Sequence, residues 1–203
     1  MEVNAEPIEF YFDFSSPYSY IAAEVIDGLA EKYGRKVKWR PMLLGVVFQK
    51  TGQPLLVNVP LKGEYSMRDF ARSARYHGVP FTFPAKFPMS TVTPARAYYW
   101  LHGQDCAKAR QFARSVFRTY WVDGRDISDI AVLQDIAASL GVDREALAAG
   151  IGTQEIKDRL RAETETALAK GMCGAPWFVV DNEPFWGADR LPQIEKWLAT
   201  GGF

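Results

Sequence analysis

Three short stretches of this chain place polar groups where chemistry can occur. The first is Ser15-Ser16-Pro17, directly behind the aromatic run Ile8 to Phe14. Ser16 is a good N-cap and Pro17 suits the first helical position. A hydroxyl there sits among unpaired backbone N–H groups and a partial positive charge, a place that stabilises an anion. The plain alternative is that Ser16 only caps its own helix. The second stretch is Gly174-Ala175-Pro176-Trp177, just ahead of a strand. A cis bond before Pro176 would turn the Ala175 backbone toward a ligand, although trans is the ordinary state of such bonds. The third is Phe185-Trp186-Gly187-Ala188-Asp189-Arg190. Asp189 reads there as the N-cap of a final helix, and its carboxylate is equally suited to accept from a ligand ammonium.

The elements that must position these groups follow from periodicity. Ile8 to Phe14 alternates as a buried central strand. Ile21, Ala22, Val25, Ile26, Leu29, Ala30 and Tyr33 then fall on one helical face, which Gly34 ends. Lys36 to Arg40 alternates as a second strand, stopped by Pro41. Strand, helix, strand in that order implies a right-handed crossover and a parallel pair. A short helix is expected over Val46 to Lys50, then an irregular loop through Gly52, Pro54, Pro60 and Gly63, then a helix from Ser66 to His77. The next helix reads as capped by Thr93, with Pro94 at its first position. Four more are expected over Asp105 to Trp121, Ser128 to Leu140, Asp143 to Ala149 and Thr153 to Lys170. Trp177 to Val180 is a strand, Asp181 to Pro184 a turn, Phe185-Trp186 a strand again, and Asp189 to Leu198 a last helix. The two ends thus build one four-stranded mixed sheet of α/β class. Residues 63–171 form an all-helical insertion between the parts 1–62 and 172–203.

Composition narrows the function. The 203 residues hold 24 Lys+Arg against 24 Asp+Glu, so no excess of positive charge exists to neutralise phosphates, and nucleic acid is not an expected partner. Met1 to Pro7 lacks the cationic start and apolar core of a secretory signal, and no apolar run nears the roughly 20 residues of a membrane span. A cytoplasmic location without membrane attachment is the expectation. Cys106 and Cys173 stand far apart, and with only two histidines no zinc-ligand pattern is present.

With the motifs Phe12-Asp13-Phe14-Ser15-Ser16-Pro17-Tyr18-Ser19-Tyr20, Lys62-Gly63, Phe83-Pro84, Gly174-Ala175-Pro176-Trp177-Phe178-Val179-Val180 and Phe185-Trp186-Gly187-Ala188-Asp189-Arg190-Leu191, the chain resembles the 2-hydroxychromene-2-carboxylate isomerases and the kappa-class glutathione transferases. Both are relatives of the DsbA-type oxidoreductases with a thioredoxin-like fold. The resemblance runs from Phe10 to Leu198. It implies glutathione as cofactor, with Ser16 donating to its sulfur, and it implies a homodimer. It further implies a cis Pro176, Ala175 pairing by its backbone with the cysteinyl unit, Asp189 and the Ala188 N–H at the γ-glutamyl end, and Lys62 at the glycine carboxylate. Gln53 stands where the transferases usually carry Asn, and Ala188 where relatives have Ser or Asn.

Redox relatives carry Cys-Pro-x-Cys where this chain reads Ser16-Pro17-Tyr18-Ser19, and hydroxyls cannot exchange disulfides. The resemblance therefore implies either an isomerase of 2-hydroxychromene-2-carboxylate, giving trans-o-hydroxybenzylidenepyruvate, or a transferase that conjugates an electrophile. A non-catalytic module is the third reading. Tyr18, Tyr20, Phe48, Trp100 and Trp186 are candidates for the wall of a pocket for a small aromatic substrate, or for core.

Overall fold

The computed structural model describes residues 6–203, so Met1 to Ala5, within the stretch read for a signal, lie outside the described residues. β1 (Ile8–Phe12) is central. It runs parallel to β2 (Val37–Pro41), with Phe10 opposite Trp39, and antiparallel to β3 (Trp177–Val180), with Phe10 opposite Phe178. β4 (Glu183–Trp186) completes the order β2-β1-β3-β4. The mixed sheet built from both ends is thus present.

The period-two alternation of β1 sorts its side chains onto two faces. Phe10 and Phe12 join Phe14 and Phe178 in the main core, where the Phe12 ring lies 5.3 Å from Phe117. Tyr11 points the other way, into a smaller cluster with Met42, Val47, Met172 and Trp177.

α1 (Pro17–Lys32) provides the β1–β2 crossover and buries Ile21, Ala22, Ile26 and Leu29. After β2 come α2 (Leu44–Thr51), a 3₁₀ turn at Leu56–Asn58, and α3 (Lys62–Tyr76). Then follow α4 (Val92–His102), α5 (Cys106–Trp121), α6 (Ile130–Ser139), α7 (Arg144–Ile151) and α8 (Gln154–Ala169). Asp105, Asp129, Asp143 and Thr153 cap α5 to α8 with their side chains. α9 (Leu191–Thr200) ends the chain. The main core passes without a break from Phe10 and Phe178 of the sheet to Phe117, Leu147 and Leu160 of the inserted helices.

Three local readings differ from the structure among these elements, and a fourth, at the start of α9, is described with the site. α3 begins at Lys62, four residues before the expected start, and takes Gly63 from the expected loop into its first turn. α4 begins at Val92, which leaves Pro94 third in the helix and Thr93 inside it. The β3–β4 connection is only Asp181-Asn182, at φ 52° and 70°. Two consecutive residues of positive φ match the twist of a tight hairpin, so Pro184 falls on edge strand β4, where a missing N–H is tolerated.

Candidate functional site

At the C-terminal end of β1 the chain turns into α1, and the turn holds Ser16 with 5% of its surface exposed. Its Oγ accepts from the Ser19 N–H at 3.1 Å, so Ser16 is a real N-cap. The same oxygen donates its proton to the Ala175 carbonyl at 3.3 Å. That second bond is long for a hydroxyl donor and therefore weak, leaving a proton that a stronger acceptor can claim.

The turn is held from below by Asp13, a residue sequence reasoning did not single out as functional. Its side chain is 2% exposed. Oδ1 accepts from the Ser15 N–H at 2.8 Å and the Ser15 hydroxyl at 3.0 Å. Oδ2 accepts from the Leu44 N–H at 2.8 Å and the Thr91 hydroxyl at 3.1 Å. Leu43 and Thr91, the cap positions of α2 and α4, make no side-chain cap bonds of their own. One carboxylate thus fastens the Ser15-Ser16 turn to the starts of two helices. Burial pushes its pKa above the ordinary carboxylate range, against the pull of the same four donors. The signal was in the sequence: a charge inside Phe-Asp-Phe at the end of an apolar strand needs buried partners.

The turn opens onto a cavity of about 1550 Å³. Ser16, Gln53, Lys62, Ala175, Ala188 and Asp189 all line it. Pro176 does not. It is buried behind the wall, its bond to Ala175 is cis, and its carbonyl accepts from the Gly187 N–H at 3.0 Å. That bond joins the second and third stretches singled out above. Gly174 is required by close approach, because a Cβ there would lie 2.4 Å from Nε1 of Trp186.

Asp189 is not the cap it was read as. It lies within a 3₁₀ turn, Ala188–Arg190; the cap position of α9 is Arg190, and neither turn nor helix receives a side-chain cap bond. Its side chain is 71% exposed and pairs with Arg190 at 3.3 Å, its Oδ1 lying so close to Gly187 that a Cβ there would be 2.3 Å away. The purely structural explanation for this carboxylate is thereby removed. Lys62 likewise stands at the first position of a helix, exposed at the cavity, rather than in a loop. Of the aromatic candidates, Tyr18, Phe48 and Trp186 line the cavity. Tyr20 is core, its hydroxyl donated to the Pro80 carbonyl at 2.6 Å, and Trp100 packs on Gly150 in the helical layer.

One face of α3 forms a cavity wall the sequence reading missed. Lys62, Tyr65, Asp69, Arg72 and Tyr76 recur at helical spacing along it, while Gly63, Ser66 and Ala74 are buried and Phe70, also buried, reaches the cavity. The Tyr18 hydroxyl, from the first turn of α1, donates to Asp69 at 2.5 Å. Arg72 donates to the same carboxylate and, at 2.9 Å, to the Tyr65 hydroxyl. Burial, then the bond to and the charge of Asp69, raise the Tyr18 pKa far above its ordinary value. Tyr65 and Asp189 add to the effect.

The fold agrees with comparison to known proteins. The model of the DSBA-like thioredoxin domain matches residues 7–199. The chain belongs to the DSBA-like thioredoxin family. Among its relatives, 2-hydroxychromene-2-carboxylate isomerase of Sphingobium xenophagum is 34% identical over 94% of this chain and 97% of its own. Glutathione S-transferase kappa 2 of Caenorhabditis elegans is 28% identical over 97% of this chain and 93% of its own. The solved structure of a 2-hydroxychromene-2-carboxylate isomerase superposes with a TM-score of 0.86 at 26% identity, covering 96% of this chain and 95% of that one. The fold is therefore the DsbA-like thioredoxin fold, and the chain is an enzyme of the isomerase and glutathione-transferase kind. Among the described residues no helix is long and apolar enough to cross a membrane.

Proposed function

We propose that this enzyme uses glutathione to isomerise 2-hydroxychromene-2-carboxylate to trans-o-hydroxybenzylidenepyruvate. The observation that carries the reading is Ser16. Its hydroxyl sits at a helix N-terminus, faces the cavity, and gives its proton to the Ala175 carbonyl through a long, weak bond. The groups around it suit a tripeptide thiol: a cation at Lys62, the Ala175 backbone and Ser16 at the middle, and the exposed carboxylate of Asp189.

Glutathione, when bound, would supply a thiolate able to add to the double bond conjugated to the ketone of the ring-opened substrate, leaving that bond single and free to rotate until the thiolate is expelled again. Ser16 donates to the sulfur, and the N-terminus of α1 adds its partial positive charge, so the thiol ionises more readily at neutral pH. Gln53 and the Ala188 N–H take lesser polar contacts. Phe48, Tyr18 and Trp186 exclude water from the cavity and offer faces to an aromatic substrate. The protein would act in the cytoplasm as a homodimer, in line with the resemblance.

The same thiol site would serve conjugation, as the names of the kappa-class relatives suggest. Incubating the enzyme with glutathione and 2-hydroxychromene-2-carboxylate separates the readings. Isomerisation with no loss of total thiol supports the proposal, while thiol consumed mole for mole with substrate moves the enzyme to the transferases. No heat on mixing with glutathione, and no product, removes both.

A further inference from the structure

A thiol that ionises must hand its proton to something, and Ser16, which donates to the sulfur, is not the receiver. Two groups at the same turn remain unused by the steps above. Asp13 and Ser15 both line the cavity, Asp13 buried and Ser15 partly so. Ser15 is the neighbour of Ser16, with the two Cα atoms about 3.8 Å apart across one peptide bond. Its hydroxyl donates to Oδ1 of Asp13 at 3.0 Å. Among the described residues nothing donates to that hydroxyl, so its lone pairs are open to a proton from the cavity.

Electrostatics gives the carboxylate a reason to accept. The four donors to Asp13 are all neutral, so they solvate its charge without cancelling it. Leu44 of α2 and Thr91 of α4 supply two of them. α5 faces Asp13 with Tyr120, whose hydroxyl is given to the Lys86 carbonyl at 2.9 Å. Burial first, and then the charge of Asp13, raise the Tyr120 pKa, so it too stays neutral. A thiol that lost its proton to water here would set a second negative charge near the first, and like charges oppose each other's ionisation. A proton moved from sulfur to Asp13 instead leaves one negative charge in the site. That charge passes from a buried carboxylate, which burial already inclines toward its protonated form, to the N-terminus of α1, which stabilises an anion.

We infer that Ser15 and Asp13 form a proton relay for the bound thiol. Ser15 Oγ takes the sulfur's proton while its own hydroxyl proton passes to Oδ1 of Asp13. One S–H bond breaks, Ser15 exchanges one O–H bond for another, and an O–H bond forms on the carboxyl group. The hydrogen bond between the two side chains reverses: Asp13 donates to Ser15, and Ser15 donates to the sulfur alongside Ser16. Oδ1 goes on accepting from the Ser15 N–H. The same steps run backward when the thiol is restored. The inference rests on the glutathione reading above and adds two residues to it.

Infrared difference spectra of the whole protein, with and without glutathione at pH 7, test the relay. In the unaltered protein the ultraviolet absorbance of the thiolate and the C=O band of a protonated carboxyl should rise together. Protons released to a weak buffer should stay well under about one per thiolate formed. Ser15→Ala breaks the relay but leaves the Ser15 backbone bond to Asp13. It should show no carboxyl band and about tenfold less thiolate, each thiolate now releasing about one proton. Ser15→Thr, which restores a hydroxyl, should recover both signals. Asp13→Asn should lose the band and so identify it; if melting shows that variant unfolded, the two Ser15 variants still decide. Thiolate formed by the unaltered protein without the band, or with about one proton released, overturns the relay. So does a Ser15→Ala protein that keeps both signals, or glutathione bound with no thiolate at all. If the unaltered protein binds no glutathione, the function proposed above falls first and takes this inference with it.

Discussion

At Ser16 one oxygen does two jobs at once. Its lone pair caps α1 through the Ser19 N–H, while its proton rests on the Ala175 carbonyl. Capping therefore does not compete with binding an anion, because the cap uses the acceptor side and an anion would use the donor side. Ser16→Ala should remove both. The lost cap costs about 1 kcal/mol of stability. The lost charge-assisted bond should raise the pKa of bound glutathione's thiol by about 1 to 2 pH units. Titrating thiolate absorbance in the complex measures this directly. A variant that melts lower yet leaves the bound thiol's titration where it was would reduce Ser16 to a cap. Asp13 belongs to the same scale. Sequence reading weighs residues by what they can do to a ligand, whereas Asp13 acts on the turn that carries the ligand's partner, and only coordinates reveal its four donors.

Among the elements, the start of α3 decides where the charged wall of the cavity stands. Leu61 adopts φ 66° to enter the helix, and Gly63 then packs against the 3₁₀ turn so closely that a Cβ would lie 2.2 Å from the Val57 carbonyl oxygen. Gly63→Ala should force the two apart, lowering stability by about 1 to 3 kcal/mol. It should also weaken glutathione binding, because Lys62 is the neighbouring residue. Urea unfolding and calorimetry read the two effects separately, and an unchanged melting curve would show that the contact yields without consequence. This junction also marks what was legible beforehand. β1, α1 and the four helices α5 to α8 carry strong periodicity and side-chain caps, and they fall within a few residues of the expected places. The starts of α3 and α4 have no side-chain cap bond. Their ends are set by tertiary contacts, by Val57 against Gly63 and by Asp13 claiming the Thr91 hydroxyl, and local sequence does not contain these. Local sequence likewise places Lys62 in a loop and Asp189 at a cap. Both lie on the cavity, and Lys62 and Tyr65 join the stripe of Asp69, Arg72 and Tyr76 there only once the helix is known to begin at Lys62.

For the molecule as a whole, the inserted helices must be fixed to the sheet for the cavity to keep its shape, and one ion network helps join them. Arg40 of β2 donates to Glu163 of α8 at 2.6 Å and to Glu9 of β1 at 3.1 Å, and Lys170, just past α8, also reaches Glu9. Burial pushes the Glu9 carboxyl upward, but the Lys170 bond, the Arg40 and Lys170 charges and the Tyr11 hydroxyl outweigh it, so its pKa lies below the ordinary 4.5. A carboxylate depressed in the folded state stabilises it above the unfolded pKa, and that contribution disappears as the pH falls through the folded value. Glu9→Gln should therefore lose about 1 kcal/mol at pH 7, since Arg40 keeps Glu163 and solvent screens part of the attraction. As the pH drops below about 4.5, the unaltered protein should lose its advantage and the two stability curves should converge. Urea denaturation at a series of pH values from 7 to 3 measures the gap. Curves that stay parallel to the acid end would mean that Glu9 is not held ionised by Arg40 and Lys170.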